Sequence, residues 1–213
     1  ASFHNESGAR LVKSGGAGST TWNAFHLENE SEISMESGRI IFSDNIVNLN
    51  PGTVITGTGT LEFNTGLYVK TEVETTAAIE VTGGFWSSGG TEIAGWTGTG
   101  VISWFAGDLW GKLSLKAGTT SRILGADQKQ LRDGAELINE GTLTWTGTGH
   151  IRAQSQSATS TIRNRGTFVV DTVADLTEWY GNVSPMFFNE AGAMFRREGE
   201  GTLSCNWRFN SAG

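Results

Sequence analysis

The chain repeats itself at a period of just over twenty residues, and few folds accept such a period. Short apolar segments end on an asparagine followed by small or polar residues. The copies are Asn5-Glu6-Ser7-Gly8, Asn29-Glu30-Ser31, Asn50-Pro51-Gly52-Thr53, Asn139-Glu140-Gly141-Thr142, Asn164-Arg165-Gly166-Thr167, Asn189-Glu190-Ala191-Gly192 and Asn210-Ser211-Ala212-Gly213. Their spacings are 24 and 21 near the start and 25, 25 and 21 near the end, and the intervening gap of 89 is close to four periods. A second ladder runs out of phase, with a glycine before each short alternating segment. It comprises Gly18-Ser19-Thr20-Thr21-Trp22, Gly59-Thr60-Leu61-Glu62-Phe63, Gly100-Val101-Ile102-Ser103-Trp104, Gly149-His150-Ile151-Arg152-Ala153 and Gly201-Thr202-Leu203-Ser204-Cys205, spaced by 41, 41, 49 and 52 residues. A period of 21 to 25 suits one turn of a parallel β-solenoid, and the longer period suits a pair of turns.

Each turn must divide its residues between short strands and corners. Leu143 and Trp145, Phe168 and Val170, and Leu113 and Leu115 alternate with polar neighbours at the period of a strand. Corners call for residues that tolerate a positive φ or bond their own backbone, which is what Gly and Asn supply. Stacked Asn amides can also hydrogen-bond from coil to coil. A propeller blade needs about 40 residues and four strands, which the shorter subperiod fits poorly. The Leu-x-x-Leu-x-Leu frame of leucine-rich repeats is absent. The expectation is an all-β chain, residues 1–213 forming one right-handed parallel β-helix of nine or ten coils. At ~4.8 Å per coil it would be about 45 Å long.

Composition agrees and narrows the function. Thirty Gly, two Pro and 17% charged residues disfavour long helices and exclude a collagen or a charged disordered tail. A net charge of −7 argues against a nucleic-acid partner. No apolar run approaches the roughly 20 residues of a membrane span, and no signal peptide is legible at the start. The single cysteine, Cys205, permits no internal disulfide and reads as a small buried hydrophobe.

Segments such as Leu143-Thr144-Trp145-Thr146-Gly147-Thr148-Gly149-His150-Ile151 and Phe187-Phe188-Asn189-Glu190-Ala191-Gly192-Ala193-Met194-Phe195-Arg196-Arg197 resemble the β-strand repeats of large secreted or surface-attached bacterial proteins. The resemblance covers residues 130–213 well and the rest loosely. It implies a secreted or cell-surface β-helix joined to other domains, without fixing an activity. By analogy of fold and tryptophan content, the chain is also similar to β-helical carbohydrate-binding modules of the xylan-binding type.

Many parallel β-helices cleave polysaccharides, so a catalytic constellation must be sought. Hydrolysis needs two carboxylates flanking one bond, and lyase chemistry needs a base together with calcium or a cation. Asp108, Asp127, Asp133, Asp171 and Asp175 are dispersed, and His4, His26 and His150 lie in different coils without ligand spacing. No cofactor is expected; Asp171 and Asp175 are the one candidate calcium pair. Ice binding would require outward threonines in every coil, but the corresponding column reads Thr21, Glu62, Ser103, Arg152 and Ser204.

The eight tryptophans divide by parity. Trp22, Trp104, Trp96 and Trp145 fall in apolar columns expected inside, and Trp207 is expected to cover the C-terminal end of the core. Trp86, flanked by glycines, Trp110, one period later, and Trp179 with Tyr180 lie outside the columns. Exposed indoles stack on pyranose faces while short polar groups meet the hydroxyls. The expected function is non-catalytic binding of a plant-type polysaccharide, xylan or another β-glycan, by a monomer. Its contacts would be Trp86, Trp110, Trp179 and Tyr180, with Asp108, Lys112 and Glu178. The alternatives are a structural stalk or adhesin segment and a β-helical lyase or hydrolase.

Overall fold

The computed structural model describes residues 1–90 and 94–212, with Tyr180 and Gly181 described in their backbone alone. It is an all-β parallel solenoid of about nine coils, in which every paired strand runs parallel to its neighbour in the next coil. The described residues contain no helix long and apolar enough to cross a membrane. Register partners lie 18 residues apart at the shortest, Thr60 with Ala78, and 27 at the longest, Thr167 with Met194. The coils are thus slightly more variable than the 21 to 25 expected.

The strands form a ten-stranded sheet and a fifteen-stranded one. The larger sheet is bent. Strands Arg39–Leu49, Thr60–Val69 and Ala78–Ser87 cross the bend unbroken, with register shifts at Ser43/Ile46 and Val81/Gly83. Elsewhere two separate strands flank it, for example Thr142–Trp145 and Ile151–Ser155. The cross-section therefore has three faces. The first is the ten-stranded sheet, from Arg10–Lys13 to Arg208–Ser211. The second runs from Ser19–Asn23 to Met194–Arg197, and the third from Ser2–Asn5 to Leu176–Gly181.

The asparagine pattern belongs to two corners rather than one. Between the third and first faces, Asn5 Nδ2 donates to Asn29 Oδ1 at 2.7 Å, and Asn29 Nδ2 donates to Thr53 Oγ1 at 2.9 Å. Between the first and second faces, Asn139 Nδ2 donates to Asn164 Oδ1 at 2.8 Å, and Asn164 Nδ2 to Asn189 Oδ1 at 2.7 Å. Both corners pose the same problem: buried backbone carbonyls must be met where the ladder stops, and an amide does this while linking adjacent coils. Asn50 is not a rung. Its amide donates to Glu28 Oε2 at the surface.

The glycine ladder divides similarly. The residue before each second-face strand is Gly18, Gly38, Gly59, Ala77, Gly100, Thr119, Gly141, Gly166 and Ala193 in turn. The 41-residue steps are true pairs of coils at this corner, whereas Gly149 and Gly201 sit at the bend toward the third face. A Cβ at Gly100 would lie 2.2 Å from the Ala77 carbonyl oxygen of the preceding coil, so close stacking selects glycine there.

Inside, the second face stacks Ile40, Leu61, Ile79, Ile102, Ser121, Leu143 and Phe168 in one register column. Trp96, Trp104 and Trp145 are buried as expected, and Trp207 covers the C-terminal core with its Nε1 donating to the Thr177 carbonyl at 2.9 Å. Trp22 is only half-buried, packed edge-on against Phe3, Phe25 and Phe42 at the N-terminal end. Cys205, expected inside, is exposed; it pairs only through an isolated bridge with Leu176. Lys129 stands in an inward position of the third face, its ammonium donating to the Asp127 and Gly125 carbonyls at 2.7 and 3.3 Å, and burial pushes its pKa down to about 8.

Ser121 is the polar member of its aliphatic column, and its hydroxyl meets no hydrogen-bond partner among the described residues. Ser121→Ala is therefore expected to raise the unfolding free energy by up to about 1 kcal/mol, since the desolvation cost disappears with the group. Urea unfolding measures this; a lower midpoint in the variant would show that the hydroxyl is satisfied.

Candidate functional site

The third face presents two outward rows. One runs Asn48, Tyr68, Ser87, Trp110, and a further residue of register brings in Arg132 and then Gln154. The other runs Gly66, Phe85, Asp108, Gln130, Arg152, Thr177. Neighbours within a row are one coil apart, ~4.8 Å, so the face is a strip of aromatic and polar side chains parallel to the axis. Tyr68, Gly84, Phe85, Ser87, Asp108 and Trp110 line a shallow depression of about 380 Å³. The Tyr68 and Phe85 rings meet edge to face at 5.3 Å. Phe85 lies over Gly66, where any Cβ would come within 2.8 Å of the ring.

Arg132 organises the middle of the strip. Its Nε donates to Asp108 Oδ2 at 2.7 Å, with Nη2 in ion-pair contact 2.5 Å from the same oxygen, and its Nη1 donates to Gln154 Oε1 at 2.5 Å. The guanidinium carbon thereby sits 5.8 Å from the centre of the Trp110 ring and 5.9 Å from that of Trp179. Such cation–π contacts hold the indoles without burying them: Trp110 and Trp179 remain 47% and 51% exposed. Arg152 lies 5.3 Å from the Trp179 ring centre, and Gln128 accepts from it once its amide oxygen faces the guanidinium.

Of the residues expected here, Trp110, Trp179 and Asp108 are brought together. Trp86 is not. It is 1% exposed and packs against Trp104 at 5.3 Å. The bulge at Thr82–Gly83 changes the parity of the strand, so Trp86 falls inward in register with Leu67 and Leu109. The flanking glycines serve that bend rather than an exposed loop. Lys112 lies round the corner on the first face, its ammonium 3.5 Å from Glu136 Oε2. Glu178 pairs in register with the inward Ala153 and so leaves the outward rows. The Tyr180 side chain lies outside the described residues; its backbone belongs to the strand Leu176–Gly181.

Asp171 and Asp175 precede that strand. Asp175 Oδ1 accepts from the Ser204 amide at 2.8 Å, and the Asp175 amide donates to His150 Nδ1 at 2.9 Å, so its carboxylate is engaged in holding the last coil. No group of three or more potential metal ligands occurs among the described residues.

Tyr68, Phe85, Arg132, Arg152 and Gln154 were not anticipated as site residues. The signal was available: 24 residues separate Asp108 from Arg132 and 23 separate Phe85 from Asp108, both one coil. Neither a protein-family model, nor a curated protein, nor a solved structure matches this chain.

Proposed function

We propose that the third face binds a polysaccharide chain lying along the solenoid axis, without cleaving it. The observation that carries this reading is the pair of half-exposed indoles, Trp110 and Trp179, held by one guanidinium beside an aromatic depression. Two rings tied to a single guanidinium carbon at such distances are separated by no more than about two sugar units, and the coil rise of ~4.8 Å is close to the length of one. Indole faces offer stacking for pyranose C–H surfaces, while Asp108, Arg132, Gln130 and Gln154 offer hydrogen bonds to hydroxyls. A rod-like β-linked glycan of the xylan type suits a straight strip, and such ligands imply a secreted or cell-surface protein.

Binding is favoured over hydrolysis by the placement of acids on this face. Asp108 is paired with Arg132, and Glu28, further along the same outward row as Tyr68, is four coils away. That is roughly 19 Å at the coil rise, well beyond the ~5–9.5 Å of glycosidase carboxylate pairs.

Trp110→Ala is expected to weaken retardation in polysaccharide affinity gels by about tenfold or more, the scale of a lost aromatic anchor, with an unchanged β-type circular dichroism spectrum. Trp179→Ala should act in the same direction. Unaltered retardation in both variants would remove the site. A stalk segment is the competing reading, favoured by the exposed Phe3, Phe25, Met194 and Phe209 near the two ends; it would bind no glycan at all.

A further inference from the structure

The charges on the groove are unevenly matched. Arg132 is neutralised by Asp108. Among the described residues neither Arg152 nor Lys70 has a carboxylate within 4.0 Å, although Lys70 is near enough to Glu28 to favour its charged form, and each rests on an aromatic rim. Arg152 is 5.3 Å from the Trp179 ring centre, and the Lys70 ammonium is 5.9 Å from that of Tyr68. The chain as a whole carries −7, so an arginine on this aromatic strip with no carboxylate beside it runs against the overall balance. On the first face, by contrast, Arg163 and Arg165 each reach two glutamates.

We infer that the groove recognises an acidic polysaccharide, with a uronate carboxylate read by Arg152 beside the sugar ring stacked on Trp179. This rests on the reading of the third face as polysaccharide-binding and adds the ligand's charge to it. A uronate carries its carboxylate at the edge of the pyranose ring, roughly in the ring plane. A sugar on one face of the Trp179 indole therefore projects that group past the edge of the indole, within reach of a guanidinium held at the same ring. Arginine offers a planar fork that matches carboxylate geometry, and with only its Nε and Nη1 turned to the Gln128 oxygen Arg152 keeps donors free. Lys70, a flexible point charge at the Tyr68 end, adds attraction without a fixed geometry.

The test compares glucuronoxylan and polygalacturonate with their carboxyl-reduced, neutral forms, and includes dextran sulfate as an anionic polymer lacking carboxylates. Wild type is expected to bind at least one acidic form about tenfold more tightly than its neutral form, the effect of one charge-assisted hydrogen-bonding pair. In Arg152→Gln this ratio should fall toward one, whereas Trp110→Ala should weaken both forms. Equal affinity for acidic and neutral forms, or equal weakening of both in Arg152→Gln, would overturn the inference and leave the polysaccharide reading standing. Binding of dextran sulfate alone would overturn the carboxylate assignment. If no form binds wild type, the polysaccharide reading itself fails, and the inference with it.

Discussion

Asn164→Ala should destabilise the protein by about 3–5 kcal/mol, a large share of the stability of any domain of this size. Asn164 is fully buried between two coils. Its amide nitrogen donates to Asn189 Oδ1 and to the Met194 carbonyl at 2.9 Å, and its oxygen accepts from Asn139 Nδ2. Alanine strands both acceptors in the interior, at about 1–3 kcal/mol each, and leaves a void besides. The Asn139 amide keeps only the Thr167 carbonyl. In a stack whose coils touch only their neighbours, the damage should appear first as lost amide-exchange protection in the coils C-terminal to residue 164. Asn50→Ala is the control. It sits in the same sequence motif but at the surface against Glu28, and should cost less than about 1 kcal/mol. A similar urea midpoint shift in the two variants would show that the buried amide ladder contributes nothing special.

Trp86→Ala is expected to cost about 3–5 kcal/mol as well, by emptying a fully packed interior site. Trp110→Ala, one coil on, should leave stability almost unchanged while reducing glycan retention. Among the described residues Trp86 Nε1 has no hydrogen-bond partner, so Trp86→Phe should lose less than half as much as the alanine variant. Thermal unfolding of the three variants, with affinity gels run well below each midpoint, separates a core indole from a ligand-facing one. Lost retention in a fully stable Trp86→Ala would reverse the two assignments.

The coil period, the parallel strands and most interior columns were legible in the sequence because stacking forces chemically similar residues to recur at one spacing. Trp96, Trp104 and Trp145 sort correctly by parity alone. Spacing does not say which corner a residue occupies, however. Asn29 and Asn139 solve the same hydrogen-bonding problem at different corners, so two ladders read as one that has decayed in the middle. Parity fails where an inserted residue resets it, as in the strand Ala78–Ser87, and this one bulge moves Trp86 from the surface to the core. The Arg132 bridge was hidden for a different reason. Together with its partners it spans four coils, and only the register of the third face aligns Trp110, Arg132 and Gln154 into one row.

The bend between the second and third faces differs from the two amide-stitched corners in what it lets the chain do. Three coils cross it with no connecting loop, whereas later coils spend two to five residues there, five in the case of Asp171–Asp175. Chain length can change at this seam without disturbing either buried ladder, and the seam forms one long edge of the ligand-facing strip. Insertions at this margin could reshape the groove's wall while the interior stays as it is. Loop grafting for altered recognition would begin here.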